Sequence, residues 1–515
     1  MHPSHFAKST PDKPAFIMAS SGEVVTYLQL EQRSNQIAQL FRSLGLQPDD
    51  HIAIHMENNR HFMEIIWAAQ RSGIIYTAIS THLREEEIAY IVDNCEAKVL
   101  LSSIALGDLA GDIRSRCSGL QYCFMVGGTS HGYQSLEEAI ESQPNTPIDD
   151  EERGVQMLYS SGTTGRPKGV LPKRASGESI QVMTPSAATL GVKFGFGENT
   201  VYLSPAPLYH AAPLTYNTIT MHSGGTSIIM ERFDAERSLE LIEKYQITHS
   251  QWVPIMFIRM LRLDEKFRTQ FDFSSHKVAI HAAAPCPVEI KQQMIAWWGP
   301  IINEYYGSTE GMGFTALNSE QWLKHPGSVG PPLGCRIKIL DDEGQELPDG
   351  EIGTVYFADR IGDFSYYGEP EKTAACISPE GWGTVGDAGY LDDDGYLYLS
   401  DRKDFMIISG GVNIYPQEIE NQLILHNAVA DVAVFGIPNT EFGEEVKAVV
   451  QPIKWPVDEK AVEQELLIWL RGFLSPVKVP RSVDFVQELP RLDNGKLYKR
   501  YLQQQYRDKA KLTHK

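Results

Sequence analysis

The chain has 515 residues, 42% hydrophobic and 22% charged, and its 46 basic against 66 acidic side chains leave a formal charge of −20. These values exclude wholesale disorder and predict about two to four domains with ample core, while the acidity argues against nucleic acid as a partner, since a duplex would repel most of this surface. No apolar run reaches the ~18 residues of a spanning helix, the opening MHPSHFAKSTPDKPAF does not read as a secretory signal, and six scattered cysteines without a CxxC pair predict neither a zinc site nor a disulfide framework, with a reducing cytoplasm as the setting.

In chain order, residues 26–45 predict a helix with Thr26 as N-cap, Leu28, Leu30, Ile37, Leu40 and Phe41 available for a buried face, and Gly45 as the stop. HIAIHM at 51–56 predicts a strand, 61–73 a helix, YTAIS a strand, REEEIAYIVDNC a helix and KVLLSS a strand. Such alternation predicts an α/β fold with a largely parallel sheet. Between 329 and 400 the texture becomes β-rich, with RIKIL, TVYF and YLYLS separated by turn clusters. After SDRKD at 400–404, helices and strands resume for about 110 residues, enough for a small α+β domain. The predicted division is 1–401 and 402–515.

The segment Tyr159-Ser160-Ser161-Gly162-Thr163-Thr164-Gly165-Arg166-Pro167-Lys168-Gly169 follows the predicted buried strand VQML. Its glycines permit close backbone approach to an anion, its hydroxyls donate, and Arg166 and Lys168 supply charge. Four basic residues and no acidic one lie between 159 and 174, a local positivity suited to a polyphosphate. A P-loop is rejected. Counting from Gly162, Pro167 stands where the second glycine belongs, and Gly169 where the metal-binding hydroxyl belongs.

SSGTTGRPKG resembles the phosphate loop of the adenylate-forming superfamily, which includes acyl-CoA synthetases, firefly-type luciferases and peptide-synthetase adenylation domains. Further motifs follow in the family's order: APLYH at 206–210, YYGSTEG at 305–311, GD at 386–387, DRKDFMIISGGVNIYPQEIE at 401–420 and PRLDNGK at 490–496. The resemblance implies a large N-terminal domain of α/β subdomains plus a β-rich subdomain, and a small mobile C-terminal domain.

The same resemblance implies roles. Ser160, Ser161, Gly162, Thr163, Thr164, Gly165 and Lys168 would cradle ATP phosphates. Glu310, in a segment that reads as turn-rich, would hold Mg²⁺, a hard cation suited to carboxylate oxygen, and Thr309 would donate to the α-phosphate. Tyr306 matches the aromatic that stacks on adenine. Glu304 and Ala283 fall at adenine-lining positions, although His281-Ala282-Ala283-Ala284 departs from the more glycine-rich family form, and Gly307 is also expected to bind the cofactor. Asp387 matches the carboxylate for the ribose hydroxyls and Arg402 a second ribose contact. Val385 replaces the usual threonine, so one supporting hydroxyl is expected to be missing. Lys496, in a tail with 11 basic and 4 acidic residues from 471 onward, matches the lysine that reaches the α-phosphate and the attacking carboxylate. Asp404 occupies the hinge position, and Gly410-Gly411 line the thiol passage after rotation. His210 matches the residue bordering the carboxylate pocket, whose walls are expected to include Tyr209, Leu214, Trp252 and Met256.

The implied reaction is AMP-forming: a carboxylate attacks the α-phosphorus of ATP, pyrophosphate leaves, and CoA takes the acyl group from the adenylate. The acid is fatty, of bile-acid or steroid-side-chain type, or aromatic. An amine acceptor, giving an amide, is the alternative within the superfamily. A non-catalytic acyl-nucleotide sensor is disfavoured by the presence of Lys168, Glu310 and Lys496 together. Oligomeric state is open, with a homodimer allowed.

Overall fold

The computed structural model describes residues 1–160, 167–359, 362–402, 405–439, 441–491, 497, 499 and 501–506, with backbone alone at 160, 401 and 402. The first predicted helix forms as Tyr27–Ser43, and Thr26 and Gln29 cap each other's backbone reciprocally. Gly45, at φ +85°, turns the chain away. Leu30, Ile37, Leu40 and Phe41 are buried, but Leu28 is 38% exposed. Two positions along a helix amount to about 200° of rotation, so Leu28 points away from the face that holds Leu30.

Two largely parallel sheets form the bulk of the chain. One has six strands, all parallel, in the spatial order Gln134–Ser135, Tyr122–Val126, Val99–Ser103, His51–His55, Ile75–Ala78 and Val155–Gln156. The other has nine. Its parallel centre runs Pro14–Met18, Thr226–Ile229, Val201–Ser204, His249–Trp252, Val278–His281 and Ile302–Gly307. Antiparallel strands flank it, Val24–Thr26 at one edge and Phe314–Leu317 with Pro332–Leu333 at the other. The centres of both sheets are buried on both faces, as sheets covered by crossover helices must be. One expectation is corrected here. Tyr305, Tyr306 and Gly307 belong to the strand Ile302–Gly307, and the chain turns only at Ser308.

The β-rich region is antiparallel. Arg336–Leu340, Gly353–Ala358, Asp387–Leu391 and Leu397–Arg402 form a four-stranded sheet, and Leu158–Ser160, Lys168–Pro172 and Phe364–Tyr366 form a three-stranded one. A separate C-terminal sheet comprises Val412–Ile414, Ile407–Ser409, Gly443–Pro452, Val429–Asn439 and Ser482–Phe485, packed against helices Pro416–Leu423 and Glu459–Arg471. The architecture is mixed α/β with a large N-terminal part and a small C-terminal one. Among the described residues no helix is long and apolar enough to cross a membrane.

A continuous buried apolar cluster joins the two parts, reaching from Trp252 and Ile302 to Ile419 and Val434. Arg262, at the end of helix Pro254–Leu261, donates to three carbonyls across the junction: Ile424 at 3.3 Å, Val429 at 2.6 Å and Ala430 at 2.9 Å. Charged donors make these bonds stronger than neutral ones. Arg262→Ala should weaken docking of the C-terminal part by about 2 kcal/mol. Hydrogen–deuterium exchange would then rise across residues 424–432 while the nine-stranded sheet keeps its protection.

Candidate active site

Parallel strands end with their carboxyl edges on one side of a sheet, and the crevice there is the natural ligand site of an open α/β fold. Here a cavity of about 850 Å³ opens at that edge. Four successive strand ends line it: Ala206 after Val201–Ser204, Val253 after His249–Trp252, Ala282 and Ala283 after Val278–His281, and Gly307 with Ser308 at the end of Ile302–Gly307. The β-rich sheets close a second side through Lys168, Tyr366 and Asp387. The C-terminal part closes a third through Phe405, Glu420, Arg491, Leu497 and Lys499.

Lys168 stands on the strand Lys168–Pro172, which pairs in register with Leu158–Ser160 (Lys168 opposite Ser160) and with Phe364–Tyr366 (Val170 opposite Tyr366). That pairing brings Tyr366 under Lys168, with Nζ 4.7 Å from the ring centroid, a distance for cation–π attraction. The Tyr366 hydroxyl donates to Glu310 Oε1 at 2.8 Å and accepts from Cys376 Sγ at 3.8 Å. Burial first, and then the charge of Glu310, push the Tyr366 hydroxyl well above its ordinary pKa, so it remains a donor at every working pH. Glu310 is only 9% exposed and lines the cavity beside Thr309. Ser161, Gly162, Thr163, Thr164 and Gly165 lie outside the described residues, as does the side chain of Ser160.

Tyr306 and Asp387 meet across the cavity wall. The Tyr306 hydroxyl donates to Asp387 Oδ2 at 2.6 Å, and its ring stacks on Phe357 with centroids 6.0 Å apart. Asp387 opens its strand opposite Arg402, whose side chain lies outside the described set. Position 385 is valine and carries no hydroxyl. Thr384, one position earlier, donates to the Val355 carbonyl at 2.8 Å and accepts from Gly386 N at 3.0 Å, which steadies the turn into Asp387.

Glu304 lines the cavity, but its carboxylate is committed behind the wall. Lys291 Nζ donates to it at 2.6 Å and also sits 4.8 Å from the Trp322 ring centroid. Burial raises the pKa of Glu304, and Lys291 opposes that shift. Ala283 takes φ +74°, the left-handed region that costs a side-chain-bearing residue about 1–2 kcal/mol. The glycine of the related form would avoid that cost. His210 stands at the N-cap position of helix Ala211–His222, its ring edge-on to Tyr209 with centroids 4.6 Å apart, and both residues line the cavity.

Three expected pocket walls are corrected. Leu214, Trp252 and Met256 belong to the buried core and do not line the cavity. Strand alternation turns Gln251 and Val253 toward the cavity and Trp252 away from it. Trp252 Nε1 instead donates to Ser250 Oγ. Ile255 and Ile258 present the lining face of helix Pro254–Leu261, with Met256 on another.

Lys496 and residue 404 lie outside the described residues. Arg491 and Leu497, which bracket Lys496, form an antiparallel bridge and both line the cavity. Gly410 and Gly411 form an exposed turn between Ile407–Ser409 and Val412–Ile414, at φ +57° and +80°, and neither lines the cavity. The sequence reading does not reach Tyr366, Thr384 or Lys291. Each becomes relevant through sheet pairing or packing, which leaves no spacing signature.

The sequence matches the AMP-binding enzyme family over residues 4–362 and the AMP-binding enzyme C-terminal domain over 418–496. It is 30% identical over 513 residues to the fatty acid–[acyl-carrier-protein] ligase ScoC of Streptomyces coeruleorubidus, covering 98% of this chain and 95% of that one. A feruloyl-CoA synthase of Amycolatopsis sp is 29% identical, with 96% of each chain covered. Among solved structures, ATP-bound MatB from Rhodopseudomonas palustris superposes with a TM-score of 0.82 at 28% identity, covering 99% of both chains.

Tyr366→Phe would leave one buried oxygen of Glu310 without its donor. Chemical denaturation should register a loss of about 1–3 kcal/mol, whereas an unchanged midpoint would mean that the Tyr366–Glu310 bond contributes nothing.

Proposed function

Since the chain belongs to the AMP-binding enzyme family, the adenylate-forming ligases, we propose that it activates a carboxylic acid with ATP and hands the acyl group to the thiol of CoA. One observation carries this reading: a single cavity gathers Lys168, Thr309, Glu310, Tyr306 and Asp387 at the strand ends. A carboxylate cannot acylate a thiol directly, because oxide is a poor leaving group. Its attack on the α-phosphorus forms a carboxyl–phosphate bond and expels pyrophosphate, after which the thiol displaces AMP from the activated carbonyl. No covalent enzyme intermediate is required, so positioning and charge neutralisation carry the rate.

In this reading Lys168 neutralises the polyphosphate and Thr309 donates to the α-phosphate. Tyr306 flanks adenine, and Asp387, held by Tyr306 and the Thr384 turn, accepts from the ribose hydroxyls. His210 borders the acid carboxylate. The donor set suits magnesium brought with ATP. No group of three or more potential metal ligands occurs among the described residues, whereas Mg²⁺ commonly takes one or two carboxylates with the substrate's phosphates and water, and Glu310 supplies such an oxygen. When bound, the ion would offset phosphate charge. We place the working enzyme in the cytoplasm, where its six free cysteines stay reduced.

We assign Lys496 the bridging of carboxylate and α-phosphate, and Asp404 the pivot between domains 1–401 and 402–515. The cavity lining by Arg491 and Leu497, with Gly410-Gly411 exposed, supports an adenylating arrangement. Rotation would replace the Lys496 turn by the Gly410-Gly411 turn for the thiol step. The likeness to ScoC, named for ligation to an acyl-carrier protein, favours a carrier-protein thiol as the second acceptor.

Acid-dependent pyrophosphate–ATP exchange, followed by offering CoA, acyl-carrier protein and amines to the trapped adenylate, tests the reading. Absence of exchange with every acid would refute it. Lys496→Ala should slow adenylation roughly 10²- to 10³-fold and leave thioester formation from preformed adenylate nearly intact. Asp404→Pro should do the reverse, sparing adenylation and blocking transfer, with both steps followed by single-turnover kinetics.

A further inference from the structure

The cavity extends beyond the reacting centre along one face of helix Ala211–His222. Ala211, Thr215, Thr218 and His222 all line it, and their spacing of four, three and four residues places them on a single helical stripe. His210, proposed to border the acid carboxylate, precedes the first of them. From Ala211 to His222 the helix advances about 16 Å at 1.5 Å per residue, so the cavity has a near end at the chemistry and a far end at His222.

The far end is polar. Arg153 lines the cavity there with a side chain only 7% exposed. Its charge bears on both His222 and Tyr76. One edge of the guanidinium is used, because Nη2 donates to Glu178 Oε2, and the backbone N–H of Arg153 donates to the Glu178 carbonyl at 2.7 Å. Nε and Nη1 are buried with no hydrogen-bond partner among the described residues. Tyr76, which accepts from Gln70 Nε2 at 3.1 Å, stands beside them on the cavity wall. A buried donor left unmatched is costly, and a guanidinium has donors only, so its complement is an acceptor oxygen. Glu178 already balances the charge, which favours a neutral oxygen over a second carboxylate.

We infer that the acid this enzyme activates carries a hydroxyl or carbonyl oxygen at its far end, received by Nε and Nη1 of Arg153 about 16 Å along the helix Ala211–His222 from the reacting carboxylate. The inference rests on the adenylation reading and narrows its substrate class. A saturated chain advancing about 1.3 Å per carbon–carbon bond spans the interval with about a dozen carbons. An unsubstituted acid of that length would bury the two donors against methylene groups, and a site built around a polar contact discriminates strongly against an analogue lacking it.

The test is acid-dependent pyrophosphate release by the full chain with ATP and Mg²⁺, comparing dodecanoate, ω-hydroxydodecanoate and dodecanedioate. In the unaltered protein the hydroxy acid should exceed dodecanoate at least about tenfold in kcat/KM and should also exceed the diacid. Arg153→Met should bring the hydroxy-to-plain ratio close to one. A general folding defect scales both substrates alike and does not move that ratio. Equal or better use of dodecanoate by the unaltered protein overturns the inference and leaves the adenylation reading standing, as does turnover of short or aromatic acids alone. A preference for the diacid overturns the neutral-oxygen assignment, and a preference that survives Arg153→Met overturns the role of Arg153. A failure of every class of acid to support pyrophosphate release would instead remove the adenylation reading itself.

Discussion

A polyphosphate must settle into a protein whose own formal charge is −20, and the site depends on how that conflict is resolved locally. Lys168 brings the cation and Glu310 the carboxylate, and Tyr366 stands between them, its ring under the ammonium and its hydroxyl on the carboxylate. A direct ion pair would satisfy each charge with the other. Tyr366 holds both in place by weaker, directional contacts, so each keeps charge to offer a ligand. Burial strengthens these interactions, because the low local dielectric that makes an unmatched charge costly also makes a matched one effective.

Topology decides what reaches this place. Four parallel strands of the nine-stranded sheet end at the cavity, while Lys168, Tyr366 and Asp387 arrive from two antiparallel sheets. Tyr306 and Asp387 are thus fixed on regular structure, where packing limits their freedom. The strain at Ala283 lies at one of these strand ends, where the chain must bend sharply into the wall.

The third wall has a different character. The C-terminal part is docked by apolar packing and by Arg262 on three carbonyls, and it is held together by a buried network in which Glu420 accepts from Lys499 at 2.8 Å and from Val434 N at 2.6 Å. The Glu420–Lys499 and Arg491–Asp431 pairs lie within that part. Across the junction Arg262 donates to three carbonyls and Arg84 Nη2 donates to the Tyr501 hydroxyl at 2.6 Å, and such bonds can exchange for water at modest net cost.

Much of this was legible in the sequence because it is local. Capping by Thr26, the strand–helix alternation, the β-rich stretch and the glycine- and hydroxyl-rich loop are set by neighbours within a few residues, and motif order alone points to Lys168, Glu310, Tyr306 and Asp387. Failures occurred wherever the answer depended on what packs opposite. Leu28 faces solvent because helix phase, not hydrophobicity, assigns sides. Leu214, Trp252 and Met256 are core because the adjacent strand and helix faces won the cavity. Tyr366 lines the site, and Thr384 holds the turn before Asp387, through pairing with segments far away in the chain. Residue type and short-range spacing therefore determined the chemistry available to this protein, and tertiary structure decided which side chains could bring it to bear, since long-range register and burial are properties of the folded sheet and have no counterpart in the linear order.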